Sequence, residues 1–266
     1  MENRILSRLS PEYPWKDRFR WLEETGSTND DLKKLARQGA PHGTVLVADR
    51  QSGGHGRMGR SFHSPGGVGI YFSILLRPQC TPGELMHQTC ATAVAMCEAV
   101  EQAAGFRPGI KWTNDLVHDR YKLGGILTEL GFTAKGTVDY AIIGIGINCC
   151  QQQADFPEDL RDMAASLSMV TGKEIDRDAV IAAMMEALHR MDSQLLTEKA
   201  AILEAYRRSC ITIGRQISLL RVGDPVRHGR AVDMDDEGAL IVEFADGHRE
   251  TVNSGEVSVR GMYGYL

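Results

Sequence analysis

The chain has 266 residues, enough for one large domain or a main domain with a small companion. With 42% hydrophobic and 24% charged residues, and no run near the ~20 apolar residues that span a bilayer, it reads as a globular protein with no membrane partner. A net charge of −5 and an isoelectric point near 5.9 argue against broad affinity for nucleic acid.

The first residues, Met1 to Arg8, carry no apolar stretch of signal-peptide length. Cys80, Cys90, Cys97, Cys149, Cys150 and Cys210 include no Cys-x-x-Cys pair and no histidine at metal-ligand spacing, so the expectation is a reduced, cytoplasmic protein without a structural metal. Residues 1 to 20 are short and mixed, with Pro11 and Pro14, too few for a helix-turn-helix domain. Arg18 to Glu23 alternates as a strand. Ser27-Thr28-Asn29 then opens a helix carried by Leu32, Leu35 and Ala36 and stopped at Gly39. Thr28 and Asp31 have the spacing of a capping box, the plain account of Ser27 and Thr28. A helix N-terminus is equally a place where hydroxyls and N–H groups bind a polar ligand.

The apolar run Thr44 to Ala48 leads into Gln51-Ser52-Gly53-Gly54-His55-Gly56-Arg57-Met58-Gly59-Arg60. Its four glycines and two arginines cannot build a core. They offer bare backbone N–H groups and guanidinium charge, which suit close approach to a phosphate. Gly54 to Ser61 fits the nucleotide P-loop spacing with Arg60 in the lysine position. A P-loop must open a helix, however, and here Pro65, Gly66, Gly67 and Gly69 lead into the strand-like run Ile70 to Leu76. The P-loop is therefore rejected and an anion-binding loop retained.

Residues 82 to 105 read as a core helix with Leu85, Met86, Cys90, Ala93, Val94, Cys97 and Val100 on one face. Ile110-Lys111-Trp112 ends a strand, Thr113-Asn114-Asp115 is turn material, and Leu116 to Thr128 suggests a hairpin tipped by His118-Asp119-Arg120. Lys122 stands beside Gly124 and Gly125 in the returning arm, and glycines there imply close approach by something else. Tyr140 to Asn148 is a buried strand whose Gly144-Ile145-Gly146 lacks the third glycine of a dinucleotide fingerprint. Pro157 to about Val170 reads as a short helix, and Asp176 to about Arg208 as two helices or one bent one. From Gly214 the pattern changes to short strands, at Ile217 to Leu220, Ala231-Val232, Leu240 to Phe244 and Val257 to Val259. Turn signals lie between them, which suggests a small β-barrel.

Four segments together resemble the biotin–protein ligases (biotin–acetyl-CoA-carboxylase ligases). They are Ser27-Thr28-Asn29, Gln51 to Arg60, Lys111-Trp112-Thr113-Asn114-Asp115 with Lys122 to Ile126, and Gly144 to Asn148, in the family's order and spacing. The resemblance implies an α+β fold: a catalytic domain like that of class II aminoacyl-tRNA synthetases, a mixed sheet with helices, over residues 1–212. A small SH3-like β-barrel would follow over residues 213–266. It implies a two-step reaction, in which biotin and ATP, with Mg²⁺, give biotinyl-5′-AMP, and a lysine of a biotin carboxyl carrier domain then takes the biotinyl group.

On the same resemblance, Lys122 and Arg57 are the catalytic cations. Ser27, Thr28, Asn29, Gln51, Gly54, His55, Gly56, Trp112, Gly124 and Gly125 would hold biotin or its adenylate. Arg60, Lys111, Asn114, Asp115 and Asn148 are candidates for the nucleotide or Mg²⁺, the metal arriving with ATP rather than at a structural site. The glycine loop would close over the intermediate and shield the anhydride from water. His55 stands where the family often has arginine, which implies weaker or pH-dependent adenylate retention if that charge matters. Only 26 residues precede Ser27, so a ligase without repressor function, and without DNA as a partner, is expected; a homodimer is compatible with the sequence. The nearest rival is the related lipoate ligase or octanoyltransferase group. Its cysteine route needs an activated thiol, and none of the six cysteines has an obvious basic neighbour in sequence. A rival of another class is a non-catalytic regulator that binds biotinyl-AMP or DNA.

Overall fold

The computed structural model describes residues 1–220, 223–253 and 258–261. In chain order the elements are α1 (Glu2–Leu6), β1 (Phe19–Thr25), α2 (Thr28–Arg37), β2 (Thr44–Gln51), β3 (Gly69–Leu76), α3 (Gln88–Ala104), β4 (Gly109–Lys111), β5 (Asp115–His118), β6 (Tyr121–Phe132) and β7 (Val138–Asn148). They continue with α4 (Leu167–Thr171), α5 (Arg177–Gln194), α6 (Lys199–Ser209), β8 (Gln216–Leu220), β9 (Arg227–Met234), β10 (Leu240–Glu243), β11 (Arg249–Val252) and β12 (Ser258–Gly261). Among the described residues no helix is long and apolar enough to cross a membrane.

The first seven strands form one mixed sheet, ordered β1-β2-β3-β7-β6-β5-β4. Only β1 and β2 run parallel; the remaining neighbours are antiparallel. Alternation along the central strands gives the sheet two unlike faces. Val45, Val47, Phe72, Ile74, Ile143 and Ile145 point into the main core against α3 and α5. Leu46, Leu75 and Ile142 point the other way, under Leu32 and Ala36 of α2. β8 to β12 form a separate small antiparallel sheet, ordered β11-β10-β9-β8-β12.

Several expectations need correction. The helix expected over 157–170 is absent: Glu158–Leu160 is a single 3-10 turn, and α4 begins only at Leu167. The segment between them is held by the strand beside it, since Lys122 donates its N–H to Met163 (2.8 Å) and Ala165 donates to Lys122 (3.0 Å). Backbone bonds that go to a neighbour cannot also close a helix. The helix expected over 82–105 is broken at its start, Pro82–Leu85 being a 3-10 turn ahead of α3. α3 is buried on nearly every side rather than on one face, because α5, α6 and β6 all pack on it and Ala91, Ala95 and Ala99 admit them closely. Met86, expected in the core, is 54% exposed. The strand β11 had no sequence signal, being the polar run Arg-Glu-Thr-Val paired to β10. Val257, expected to begin the last strand, lies outside the described residues.

Candidate active site

The cavity opens where the α2 face of the sheet loses its bulk. Past Leu75 and Ile142, the same face continues as Ser73 and Tyr71 on β3, paired with Gly144 and Gly146 on β7. Two glycines and a serine in place of branched side chains leave a cavity of about 320 Å³, at the lower end of the ~300–1,000 Å³ usual for small-molecule sites. Each glycine is demanded by a neighbour. A Cβ at Gly144 would lie 2.3 Å from Asn29 Oδ1, and one at Gly146 would lie 2.5 Å from the Phe62 ring. The Gly-Ile-Gly of β7 is thus a floor cut away for α2 and for the glycine loop.

Ser27 takes the extended N-cap conformation of α2 but makes no side-chain cap bond. The capping box expected of Thr28 and Asp31 does not form. Asp31 accepts from the Thr25 hydroxyl, and the Thr28 N–H donates to Gln51 Oε1 at 2.9 Å. Ends of β1 and β2 supply both partners, so tertiary contacts displace the local motif. The Thr28 hydroxyl lies 2.7 Å from Ser73 Oγ and 3.0 Å from Gln51 Oε1. Ser73 donates to Asn29 Oδ1 (2.6 Å), whose amide donates to Glu129 (2.9 Å), which in turn meets Lys33 (2.7 Å). This string of hydroxyls and amides fixes the polar end of the cavity. With one proton, the Thr28 hydroxyl serves only one of its two oxygen neighbours at a time.

At the other end, Lys122 at the start of β6 reaches Asp115 Oδ1 at 2.6 Å. A Cβ at Gly125 would lie 3.2 Å from Lys122 Nζ and 3.4 Å from Asp115 Oδ1, and one at Gly124 would lie 2.6 Å from the Gly146 carbonyl. The close approach foreseen beside these glycines is therefore the lysine itself and the strand β7. Arg57 donates to Asn114 Oδ1 at 3.0 Å, and Asn114 Nδ2 donates to the Ile126 carbonyl at 3.0 Å, which ties the glycine loop to the β5–β6 pair. Burial pulls the Arg57 guanidinium below its ordinary pKa, against the opposing pull of the Asp115 carboxylate. Arg57, Arg60, Lys111 and Lys122 line the cavity, with Asp115 as the one carboxylate among the described lining residues, so the site is electropositive in an acidic protein. That is the field an anionic ligand needs.

The glycine loop folds back as a narrow hairpin, with Gly56 N–H to the Arg60 carbonyl (2.7 Å) and Phe62 N–H to the Gly54 carbonyl (2.9 Å). Met58 at its tip has φ 58°. No helix follows the loop before β3, in keeping with the rejected P-loop.

Ser27, Thr28, Asn29, Gln51, His55, Gly56, Arg57, Arg60, Lys111, Trp112, Asn114, Asp115, Lys122, Gly125 and Asn148 all line the one cavity. Gly54 and Gly124 do not; each is packed against backbone or side-chain atoms behind it. Asn148 is buried, and its amide bonds the Lys122 and Ala165 carbonyls (3.4 and 3.2 Å), a brace for the lysine's backbone. Sequence reasoning missed Ser73 and Tyr71, although a lone serine in an otherwise apolar strand was a usable signal. It also missed the wall formed by Phe156, Leu160, Met163 and Ala164, which carries no local signal. None of the six cysteines, all unpaired, lines the cavity. Burial pushes the Cys90 and Cys97 thiols up to about 12. A hydrogen bond from Cys149 lowers Cys150, but Cys150 stands outside the cavity.

Residues 21–148 match the biotin/lipoate A/B protein ligase family, and residues 212–260 match the biotin protein ligase C-terminal domain. The chain is 38% identical over 222 residues to the bifunctional ligase/repressor BirA of Bacillus spizizenii, covering 83% of this chain and 68% of that one. It is 31% identical over 244 residues to the biotin–[acetyl-CoA-carboxylase] ligase of Paracoccus denitrificans, covering 90% of this chain and all (100%) of that protein. Its structure is similar to that of the Aquifex aeolicus biotin protein ligase in complex with biotin and ATP, with a TM-score of 0.77, 30% identity, and coverage of 91% of this chain and 98% of the other.

Proposed function

The chain belongs to the biotin protein ligase family, and from that membership we propose how its site activates biotin with ATP and passes the biotinyl group to a carrier lysine. It is a biotin–[acetyl-CoA-carboxylase] ligase that works through biotinyl-5′-AMP. The observation that carries the residue assignment is the polarity of the cavity. A string of hydroxyls and amides closes one end, and paired lysine and arginine groups close the other.

The ureido ring of biotin carries two N–H donors and one carbonyl, so it needs acceptors and donors together. Thr28, Ser73, Gln51 and the N-terminus of α2 offer both. The valeryl tail would run along Trp112 and the Gly125 backbone, which places the carboxylate beside Lys122. In the first step a carboxylate oxygen attacks the α-phosphorus of ATP and the bond to pyrophosphate breaks. Two anions must meet, and Lys122 and Arg57 stabilise the charge shared across the forming bond. Asp115 keeps the lysine aimed, and Asn114 aims the arginine. The glycine loop, tied down through Arg57, keeps water from the mixed anhydride. In the second step the ε-amine of the carrier lysine attacks the anhydride carbonyl and AMP leaves.

Asp115, the one carboxylate among the described lining residues, fits a Mg²⁺ that arrives on the ATP phosphates with few protein carboxylates. When bound, the ion would neutralise charge on those phosphates. We place the boundary of the C-terminal domain near residue 212. We also place the reaction in the cytoplasm, where six unpaired cysteines stay reduced. Incubation with ATP, biotin and the apo carrier domain of a biotin-dependent carboxylase tests the assignment. One biotinyl group should appear on one carrier lysine, detected by intact mass. Modification by lipoate or octanoate instead of biotin would overturn it.

A further inference from the structure

Among the described residues, a turn of the small sheet reaches the lining of the cavity. Trp112, which lines the cavity and is only 5% exposed, donates its indole N–H to the Gly238 carbonyl at 3.0 Å. Gly238 sits in the turn between β9 and β10, at φ 88°, a conformation that favours glycine. A Cβ there would also lie 3.1 Å from Cys90 Sγ of α3. Asp235 shapes this turn, its carboxylate accepting the N–H groups of Glu237 and Ala239, both at 2.9 Å. α6 clamps it from outside, with Arg207 donating to the Met234 carbonyl (2.8 Å) and Lys199 pairing with Glu237 (2.5 Å).

The segment that receives this contact is held at two further points. Trp112 N–H donates to Thr212 Oγ1 at 2.9 Å, and the buried Tyr206 donates its hydroxyl to the Thr113 carbonyl at 3.0 Å. Directly beyond lie Asn114, the partner of Arg57, and Asp115, the partner of Lys122. A shift of Trp112 is therefore transmitted along two residues to the groups that aim both cations.

We propose that the β9–β10 turn is a positioning element of the adenylation site, with Gly238 as the backbone acceptor that sets Trp112 and Asp235 as the residue that shapes the acceptor. The inference rests on the biotin ligase reading. It makes the C-terminal domain part of the site's framework rather than only a neighbour that contacts the carrier or the nucleotide. The contact acts through Trp112, so neither Gly238 nor Asp235 touches substrate.

Biotin-dependent ATP–pyrophosphate exchange on the full chain tests this with Asp235→Ala, Trp112→Phe and the double variant, each rate normalised to the folded fraction from near-UV circular dichroism. One buried hydrogen bond predicts a fall of about threefold to tenfold in kcat for each single variant. The double variant should be no slower than the slower single one, because both remove the same link. Asp235→Asn, which retains a side-chain acceptor for the turn, should recover most of the rate. A purely structural role would lower thermal stability and leave the normalised kcat at the wild-type value. Wild-type kcat in Asp235→Ala, or independent losses that multiply in the double variant, would overturn the proposal. Absence of exchange in the wild type would instead strike the biotin ligase reading itself.

Discussion

Lys122 and Arg57 are held by different partners, and their substitutions should separate the two halves of the chemistry. Lys122→Ala removes the cation nearest the proposed carboxylate position and leaves the fold in place, since the side chain is 28% exposed and its ion pair is with Asp115 alone among the pairs described. Loss of one preorganised stabilising group costs about 10²–10³ in rate, which steady-state pyrophosphate exchange would register with an unchanged circular dichroism spectrum. An unfolded variant would remove the support for a catalytic role. Arg57→Gly removes a cation and also cuts the tie between loop and Asn114, so the effect expected of it and not of Lys122→Ala is a loss of retention on top of a slower first step. Biotinyl-AMP should escape and label bystander lysines, seen as biotin on an added inert protein. Labelling confined to the carrier would count against the lid role.

The elements around the site were legible in the sequence wherever a local pattern reports on local structure. The strand read over Arg18 to Glu23, which the structure places at Phe19–Thr25, the helix after Ser27, the β5–β6 hairpin and the all-β character after Gly214 each follow from periodicity and turn residues. Misreadings arose where a partner distant in sequence decides. Thr28 and Asp31 have capping spacing, yet Gln51 and Thr25 claim them. The 157–170 segment has a helical pattern, yet Lys122 takes its backbone bonds. Gly144 was visible as a motif, but not as the position where α2 presses on the sheet. That contact yields a prediction at this scale: Gly144→Ala forces a Cβ into the space of Asn29 and pushes the N-terminus of α2 off β7. Overpacking of this kind costs about 1–3 kcal/mol, so the urea midpoint should fall together with biotin affinity, measured by calorimetry. Unchanged biotin affinity would show that the α2–β7 contact does not shape the ligand end of the cavity.

For the molecule as a whole, His87 joins the front of α3 to the α5–α6 connection and makes stability sensitive to acid. It is 1% exposed, its Nε2 hydrogen donates to the Leu195 carbonyl at 2.8 Å, and its Nδ1 has no partner among the described residues. Burial holds its pKa below the ordinary 6.5, outweighing the Leu195 carbonyl that favours the charged ring. Because the unfolded chain takes up a proton that the folded chain resists, His87's contribution is complete above pH 6.5 and is lost as pH falls below that value toward the folded pKa. Thermal midpoints should therefore decline from pH 7 to pH 5, and His87→Gln should flatten the decline; an equal slope in the variant would assign the acid sensitivity elsewhere. The claim on which all of this rests is that one electropositive cavity adenylates biotin. Its most direct measurement is pyrophosphate exchange into ATP with biotin, lipoate and octanoate supplied separately to the purified chain. The account predicts exchange with biotin alone; exchange with lipoate or octanoate, or with none of the three, would contradict it.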